Sequence, residues 1–352
     1  MEWGLGHASR CLPLLNYLLN NCGADMFVAA NGPQAALIAE AFPGIRIIHP
    51  PGYQIKYHKN RAGTIARLAF SLPQLAQQIK AENQWLRAFA ERQPVDAIIS
   101  DNRYGFWHPE ISSYLITHQL QVKTAFGKSV DSLVRKQLYQ YINKFTACWV
   151  PDFEAMENSL AGELSHPSQL PGIPVQYIGP LTRMQPVPAA KEADTLFNFP
   201  AATTPQIQLL AILSGPEPQR TLLETSILEQ WKNKPGSSLW LVRGLPDQHK
   251  APAVRPDLRY LPNLYLVNHL SGPLLSEAIT RATCILTRSG YSSVMDLVPH
   301  HKNLWMIPTP GQTEQEYLAT YLQQKGLIQT VRQDKFSLQE ILFYRSGASR
   351  PA

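Results

Sequence analysis

Short apolar runs rich in branched and aromatic residues alternate along the whole chain with longer segments whose apolar residues recur at helical spacing. No other feature constrains the fold as much. In the first half, 25–30, 45–48, 96–100, 114–117, 147–150 and 175–178 read as strands, and 12–21, 33–41, 63–92 and 130–145 as helices. In the second half the strands are 207–213, 239–242, 264–267, 284–287 and 304–307, and the helices 219–231, 272–281, 290–298 and 314–325. Strands separated by helical crossovers pair in parallel, and a parallel sheet needs helices over both faces. The expected class is therefore α/β, with doubly wound parallel sheets.

The stretch GPLTRMQPVPAAKEADTLFNFPAATTP carries neither apolar period and reads as a linker. It divides the chain into a first domain over 1–182, a linker over 183–206, a second domain over 207–335 and a C-terminal helix or tail over 336–352. A chain of 352 residues supplies two cores of ordinary size, with a cleft between them as the expected ligand site.

Charged residues are 16% and apolar residues 44%, as in a packed globular protein. The net charge of +6 is scattered except between Lys56 and Arg67, which suits an anionic ligand or a membrane surface and not a nucleic acid. In the loop GYQIKYHKNRAGTIARLAF, Lys56, Lys59, Arg61 and Arg67 mix with Tyr53, Tyr57 and Phe70, a pattern for peripheral contact with an inner membrane face. A solvated loop followed by an amphipathic helix explains the same residues. Cys11, Cys22, Cys148 and Cys284 have no metal or redox spacing and are expected to be buried, reduced thiols. With no signal-peptide pattern and no apolar run of about 18 residues, the expected location is the cytoplasm.

Ligands of doubly wound sheets bind beyond the C-terminal strand ends, so the polar residues there are the candidates. In CILTRSGYSSVMDLV a strand ends at Thr287 and Gly290 opens a helix whose free N–H groups suit an anion, making Arg288, Ser289 and Gly290 phosphate-binding candidates. Asp296, on the same helical stripe as Ser292 or Ser293, would accept from ribose hydroxyls. Serines at a helix start are equally explained as N-caps. LAILSGPEPQR repeats the arrangement with Ser214, Gly215 and Arg220. In IPTPGQTEQEYLATYL, Glu314, Gln315 and Glu316 present partners for hexose hydroxyls, or only complement a helix dipole.

Together these stretches resemble the donor half of the family 28 glycosyltransferases, typified by a bacterial cell-wall enzyme that glycosylates a lipid-linked acceptor. The resemblance implies the GT-B arrangement, two Rossmann-like domains facing across a cleft. It also implies a nucleotide-sugar co-substrate, a UDP-sugar, with no further cofactor, and a glycan or lipid-linked acceptor. It puts Asp296 at the ribose-binding acidic position and Gln315 at the first of two sugar-contacting glutamines, with Glu316 replacing the second. LSGPEPQR takes the place of a glycine-rich loop, and the backbone of Val267, Asn268 and Leu270 faces the uracil edge. WGLGHASR resembles the family's N-terminal glycine loop, so that Gly4 and Gly6 approach the acceptor and His7 points at its hydroxyl; His118 and Gln119 fall near the acceptor side. A dinucleotide fingerprint does not fit, since a third glycine and a preceding strand are both lacking, and about five apolar residues are expected ahead of Glu2 to form a first, central strand.

For transfer with inversion, His7 is the candidate base, with Asp101 at a strand end orienting its ring or itself taking the proton. No Asp-x-Asp motif occurs, so no metal is expected, and the helix starts at 215 and 290 with Arg220, Arg288 and Arg243 are the expected diphosphate partners. Two alternatives share the fold: a nucleotide-sugar epimerase, whose Gly-Thr-Arg-Pro-Glu stretch has no counterpart here, and a non-catalytic nucleotide- or glycan-binding protein.

Overall fold

The computed structural model describes residues 4–51, 72–184, 207–232, 238–245, 263–301 and 303–343. The basic loop at 53–70 and most of the expected linker, 185–206, lie outside them.

In the first half the elements run α1 (Gly4–Asn21), β1 (Phe27–Ala29), α2 (Gly32–Ala41), β2 (Arg46–Ile48), α3 (Leu72–Ala90), β3 (Ala97–Asp101), β4 (Ser112–Ile116), α4 (Lys128–Ile142), β5 (Ala147–Val150) and β6 (Val175–Tyr177). All pair in parallel, but in two pieces, β1-β2 and β3-β4-β5-β6. In register, Phe27 faces Arg46 and Ile99 faces Tyr114.

One expectation is corrected at the very start. Gly4 to His7 form the first turn of α1, not a loop. Two glycines cost about 1 kcal/mol each in a helix. Tertiary packing outweighs them: Ala8 and Leu15 bury against Leu37 and Ile38 of α2.

The second half continues with β7 (Ile207–Ile212), α5 (Gln219–Trp231), β8 (Leu239–Val242), β9 (Leu264–Val267), α6 (Gly272–Arg281), β10 (Ala282–Thr287), α7 (Tyr291–Leu297), β11 (Leu304–Met306), α8 (Thr313–Gln324), β12 (Gln329–Thr330) and α9 (Leu338–Phe343). Here one parallel sheet runs in the order β12-β11-β10-β7-β8-β9. The strands are apolar on both faces because both are covered. Leu239 and Leu241 pack on one side with Leu223 and Ile227 of α5, while Trp240 and Val242 pack on the other with Ile279 of α6 and Leu318 of α8. The C-terminal helix α9 belongs to this half: Leu338 and Ile341 are buried beside α5, and the Leu338 N–H donates to Gln230 Oε1 at 2.8 Å.

All four cysteines are free, but only Cys148 and Cys284 are buried; Cys11 is half-buried and Cys22 exposed, near the end of α1 rather than in the core. Among the described residues, no helix is long and apolar enough to cross a membrane.

Candidate active site

The strand ends of the two halves face each other. Across the gap the first turn of α1 meets the first turn of α7, where Ser292 Oγ donates to the Gly6 carbonyl at 2.8 Å. Gly6 keeps this contact open: a Cβ there would sit 2.7 Å from Ser292 Oγ and displace it. Its bare backbone thus serves the contact between halves. Beside it Tyr291 stacks on His118 at 4.0 Å between ring centroids, and its hydroxyl donates to the Pro151 carbonyl at 2.8 Å. The first turn of α8 reaches over as well, Glu314 accepting from His118 Nε2 at 2.9 Å and from Gln119 Nε2. At the outer edge Lys325 Nζ caps the Glu157 carbonyl at 2.7 Å.

The cleft has a volume of about 190 Å³. Ligand pockets usually measure 300–1,000 Å³, so a nucleotide sugar requires it to widen. Its walls include His7, Gly6, His118 and Gln119 from the first half and Ser214, Gly215, Leu270, Gly290, Asp296, Glu314 and Gln315 from the second.

On the first wall His7 and Arg10 lie one turn apart on α1 and both reach Asp101, the last residue of β3. His7 Nδ1 is 3.0 Å from Asp101 Oδ2. Arg10, almost fully buried, grips the same carboxylate, its Nε lying 2.9 Å from Oδ1 and 3.1 Å from Oδ2. Arg10 Nη2 also stands 2.9 Å from His7 Nδ1. That nitrogen carries either a proton or a lone pair, so it donates to Asp101 or accepts from Arg10, but not both. Burial pushes the His7 imidazole down, with the Arg10 charge adding to it, so the ring is neutral near pH 7. Burial would push the Asp101 carboxyl up, but Arg10 and then His7 outweigh it and hold it well below the usual carboxylate range. Glu314 is likewise depressed: burial acts against this, and the hydrogen bond from His118 overcomes it.

On the opposite wall Ser214 and Gly215 lie in the turn just after β7, with Gly215 at φ +101°, and Gly290 precedes α7. Asp296 lines the cleft but is engaged, accepting from Thr182 Oγ1 and the Arg183 N–H at 3.1 Å each and from Arg183 Nε at 2.9 Å. Gln315 is held inside its own half, its Oε1 accepting from the Thr309 N–H at 2.9 Å and its Nε2 bonded to Gln312.

Several expected residues are not brought to the cleft. Arg220 is buried in an ion cluster with Glu217 at 2.5 Å and Glu224 at 2.7 Å, and Arg243 joins Glu224 at 3.0 Å. Carboxylates close in sequence or in the fold have taken both guanidinium groups. Arg288 is buried just beyond the end of β10, its Nη2 donating to the Gln219 carbonyl at 2.8 Å, and burial without a carboxylate lowers it to about 9. Ser289 is fully buried and donates to the Gln315 carbonyl at 2.8 Å. Glu316 accepts from the Gly311 N–H at 3.2 Å. Of the proposed base-binding backbone, the Val267 and Asn268 carbonyls accept from the Arg243 and Leu245 N–H groups at 2.9 and 2.8 Å, and only Leu270 faces the cleft. Gly4 is in the first turn of α1.

Three residues of the site went unread in the sequence: Arg10, Tyr291 and Arg183. Arg10 had a signal, the His-x-x-Arg spacing that puts two side chains on one helical face, hidden by reading this stretch as a loop.

No protein-family model matches the chain. An uncharacterized glycosyltransferase of Methanosarcina acetivorans is 23% identical over 343 residues, covering 92% of this chain and 82% of the relative. Among solved structures, the glycotransferase of kitacinnamycin superposes with a TM-score of 0.61 at 15% identity, covering 96% of this chain and 86% of the other. The fold is GT-B. MurG of Acinetobacter baumannii shares it with a TM-score of 0.52 at 13% identity, over 96% of this chain and 86% of that one.

Proposed function

We propose that the protein transfers a hexose or N-acetylhexosamine from a nucleotide sugar, a UDP-sugar, to a hydroxyl of a glycan or lipid-linked acceptor, with inversion, in the manner of family 28 glycosyltransferases. One observation carries this reading: His7 of the first half and the helix start at Gly290 of the second line the same cleft. The curated relative is named a glycosyltransferase and the solved kitacinnamycin protein a glycotransferase, which supports the reaction class.

With Nδ1–H directed to Asp101, His7 Nε2 takes the acceptor proton as the acceptor oxygen attacks the anomeric carbon. The bond to the diphosphate breaks, its electron pair stays on the departing oxygen, and backbone N–H groups near 215 and 290 receive that charge. Asp101 fixes the ring tautomer, and Arg10 keeps Asp101 ionised. Asp296 exchanges its Arg183 contact for ribose hydroxyls when donor enters. Assigning diphosphate stabilisation to the protein's own amides makes the reaction metal-independent, with turnover unchanged by EDTA. A lipid-linked acceptor places the protein in the cytoplasm at the inner membrane face.

Turnover over a panel of nucleotide sugars, with His7→Ala and Asp101→Asn beside the parent chain, tests this. Transfer lost in both variants while donor binding persists supports it; full activity in His7→Ala, or no turnover with any donor and acceptor, removes it.

A further inference from the structure

Arg10 holds more than Asp101. The edge of its guanidinium made by Nε and Nη2 lies on the Asp101 carboxylate. The end made by Nη1 and Nη2 meets two imidazoles, His118 Nδ1 at 3.3 Å and His7 Nδ1 at 2.9 Å. His118, buried like Arg10, passes the contact across the cleft, its Nε2 lying 2.9 Å from Glu314 Oε1. A continuous chain of polar contacts thus runs from Glu314 of the second half through His118 and Arg10 to His7.

A guanidinium can only donate. His118 Nδ1 therefore accepts from Arg10, which puts the ring proton on Nε2, where Glu314 accepts it. His7 has a choice, because Asp101 Oδ2 lies 3.0 Å from the same Nδ1 that Arg10 Nη2 approaches. Accepting from Arg10, the ring keeps its proton on Nε2; donating to Asp101, it keeps the proton on Nδ1. Only the second form has a lone pair on Nε2 with which to take a proton from an acceptor hydroxyl.

We propose that Arg10 and His118 are positioning residues that tie the tautomer of His7 to Glu314: the proton is on Nε2 while Glu314 holds His118, and on Nδ1 once Glu314 turns to the donor sugar. The coupling comes from the planar, rigid fork of the guanidinium, in which Nη1 and Nη2 cannot be set separately. With His118 bonded to Glu314, Nη1 is anchored and the same plane aims Nη2 at His7. Without Glu314 the His118 ring is no longer fixed in the tautomer that accepts from Arg10. The guanidinium then pivots on Asp101 away from both rings, and His7 Nδ1–H donates to Asp101. Donor entry supplies the release, since a cleft of about 190 Å³ has to widen and Glu314 and His118 join its two walls. The base is armed only with a donor in place. What Glu314 and His7 Nε2 do in this scheme rests on the proposed transfer, whereas the tautomers are measured without turnover.

Nitrogen-15 imidazole NMR on the histidine-labelled full chain at neutral pH reads them directly, with His7 and His118 assigned from His7→Asn and His118→Asn. The parent chain is expected to carry the proton on Nε2 of both rings, in about tenfold excess over the other tautomer. His118→Phe, which keeps a ring stacked on Tyr291, Glu314→Ala, and Arg10→Lys, whose ammonium cannot span two imidazoles, are each expected to move the His7 proton to Nδ1. UDP-glucose or UDP-N-acetylglucosamine, whichever calorimetry shows to bind the parent chain, is expected to do the same, and that arm needs no variant to fold. A His7 proton on Nδ1 in the free parent, an unmoved one in folded Glu314→Ala, or a bound donor that leaves it on Nε2 overturns the proposal. Failure of every donor to bind removes the transfer reading instead, and the variants then decide the coupling by themselves.

Discussion

The two halves are built from the same alternation of strand and helix, yet among the described residues one forms a single sheet and the other two separate pieces. In the second half β8 is buried at every residue, between β7 and β9. In the first half β1 is only half-buried at every residue and, among the described residues, has one partner strand. A parallel strand is fixed by neighbours on both edges and helices on both faces, and removing one neighbour thins the core without undoing the helix packing. The division extends to the cleft. The first half brings His7, Arg10 and His118, with Asp101 held behind them, while the second brings backbone turns at Ser214, Gly215 and Gly290 together with the carboxylates of Asp296 and Glu314.

The sharpest way to break that division is kinetic. His7→Ala is expected to lower kcat about 10²–10⁴-fold while leaving donor Kd unchanged. Asp296→Asn is expected to weaken donor binding about tenfold and spare kcat. Kinetics with calorimetric donor titration decide it, and a His7→Ala variant that also fails to bind donor would merge the two roles.

Next in size is the charged cluster of the first half. Arg10→Met leaves Asp101 buried without its cation and is expected to cost about 3–5 kcal/mol in urea unfolding. A loss under 1 kcal/mol would mean that His7 alone satisfies the carboxylate.

The cores themselves are compared by one substitution placed twice. Ile285→Ala, in the middle of the continuous sheet, is expected to cost about 2–5 kcal/mol. Ile98→Ala, on the wall of a cavity of about 540 Å³ in the first half, should cost about half as much, because that side chain already lacks neighbours on one side. Equal losses would show the two sheets to be equally packed.

Acid should weaken the first half and its bridge to the second. His7 sits below its ordinary 6.5, and Asp101 and Glu314 below their ordinary values, so each stabilises the fold above its unfolded value and loses that contribution as pH falls through its folded one. Tm is therefore expected to decline below about pH 6.5 through His7 and further below about pH 4 through the carboxylates. Glu314→Gln should flatten the lower part, and a Tm that climbs between pH 7 and 5 would contradict the assignment. Turnover follows the same sign, falling on the acid side as His7 gains its proton.

The smallest expected effect is at the seam. Gly6→Ala displaces Ser292 Oγ and forfeits its hydrogen bond, for about 1 kcal/mol. Ser292→Ala should cost as much by itself, and the double variant no more than either alone, as measured by a double-mutant cycle.

Most strands and helices stood legible in the residues, because an apolar run such as LWLV and a helical stripe such as that of Leu318 and Leu322 declare themselves within one short window. Strand-end logic also found the right neighbourhoods, for His7, His118, Ser214, Gly290 and Glu314 all line the cleft. It could not tell which side chains at those ends turn inward. Arg220 and Arg288 sit where a phosphate contact was expected, and each is drawn elsewhere, one by Glu217 and Glu224, the other by three backbone carbonyls. Gly4 to His7 misled for a related reason: glycine favours a turn locally, and only contact with α2 and α7 makes it helical.

By itself, then, the sequence determined the periodicity, the class that follows from it and the short list of polar strand ends, since each is set by neighbours along the chain. Tertiary structure alone decided that Arg10 meets Asp101 across 91 residues and His118 meets Glu314 across 196, and that β1 and β3 flank an apolar gap. Such pairings are won by burial and charge satisfaction in three dimensions, and no local window of residues contains both partners.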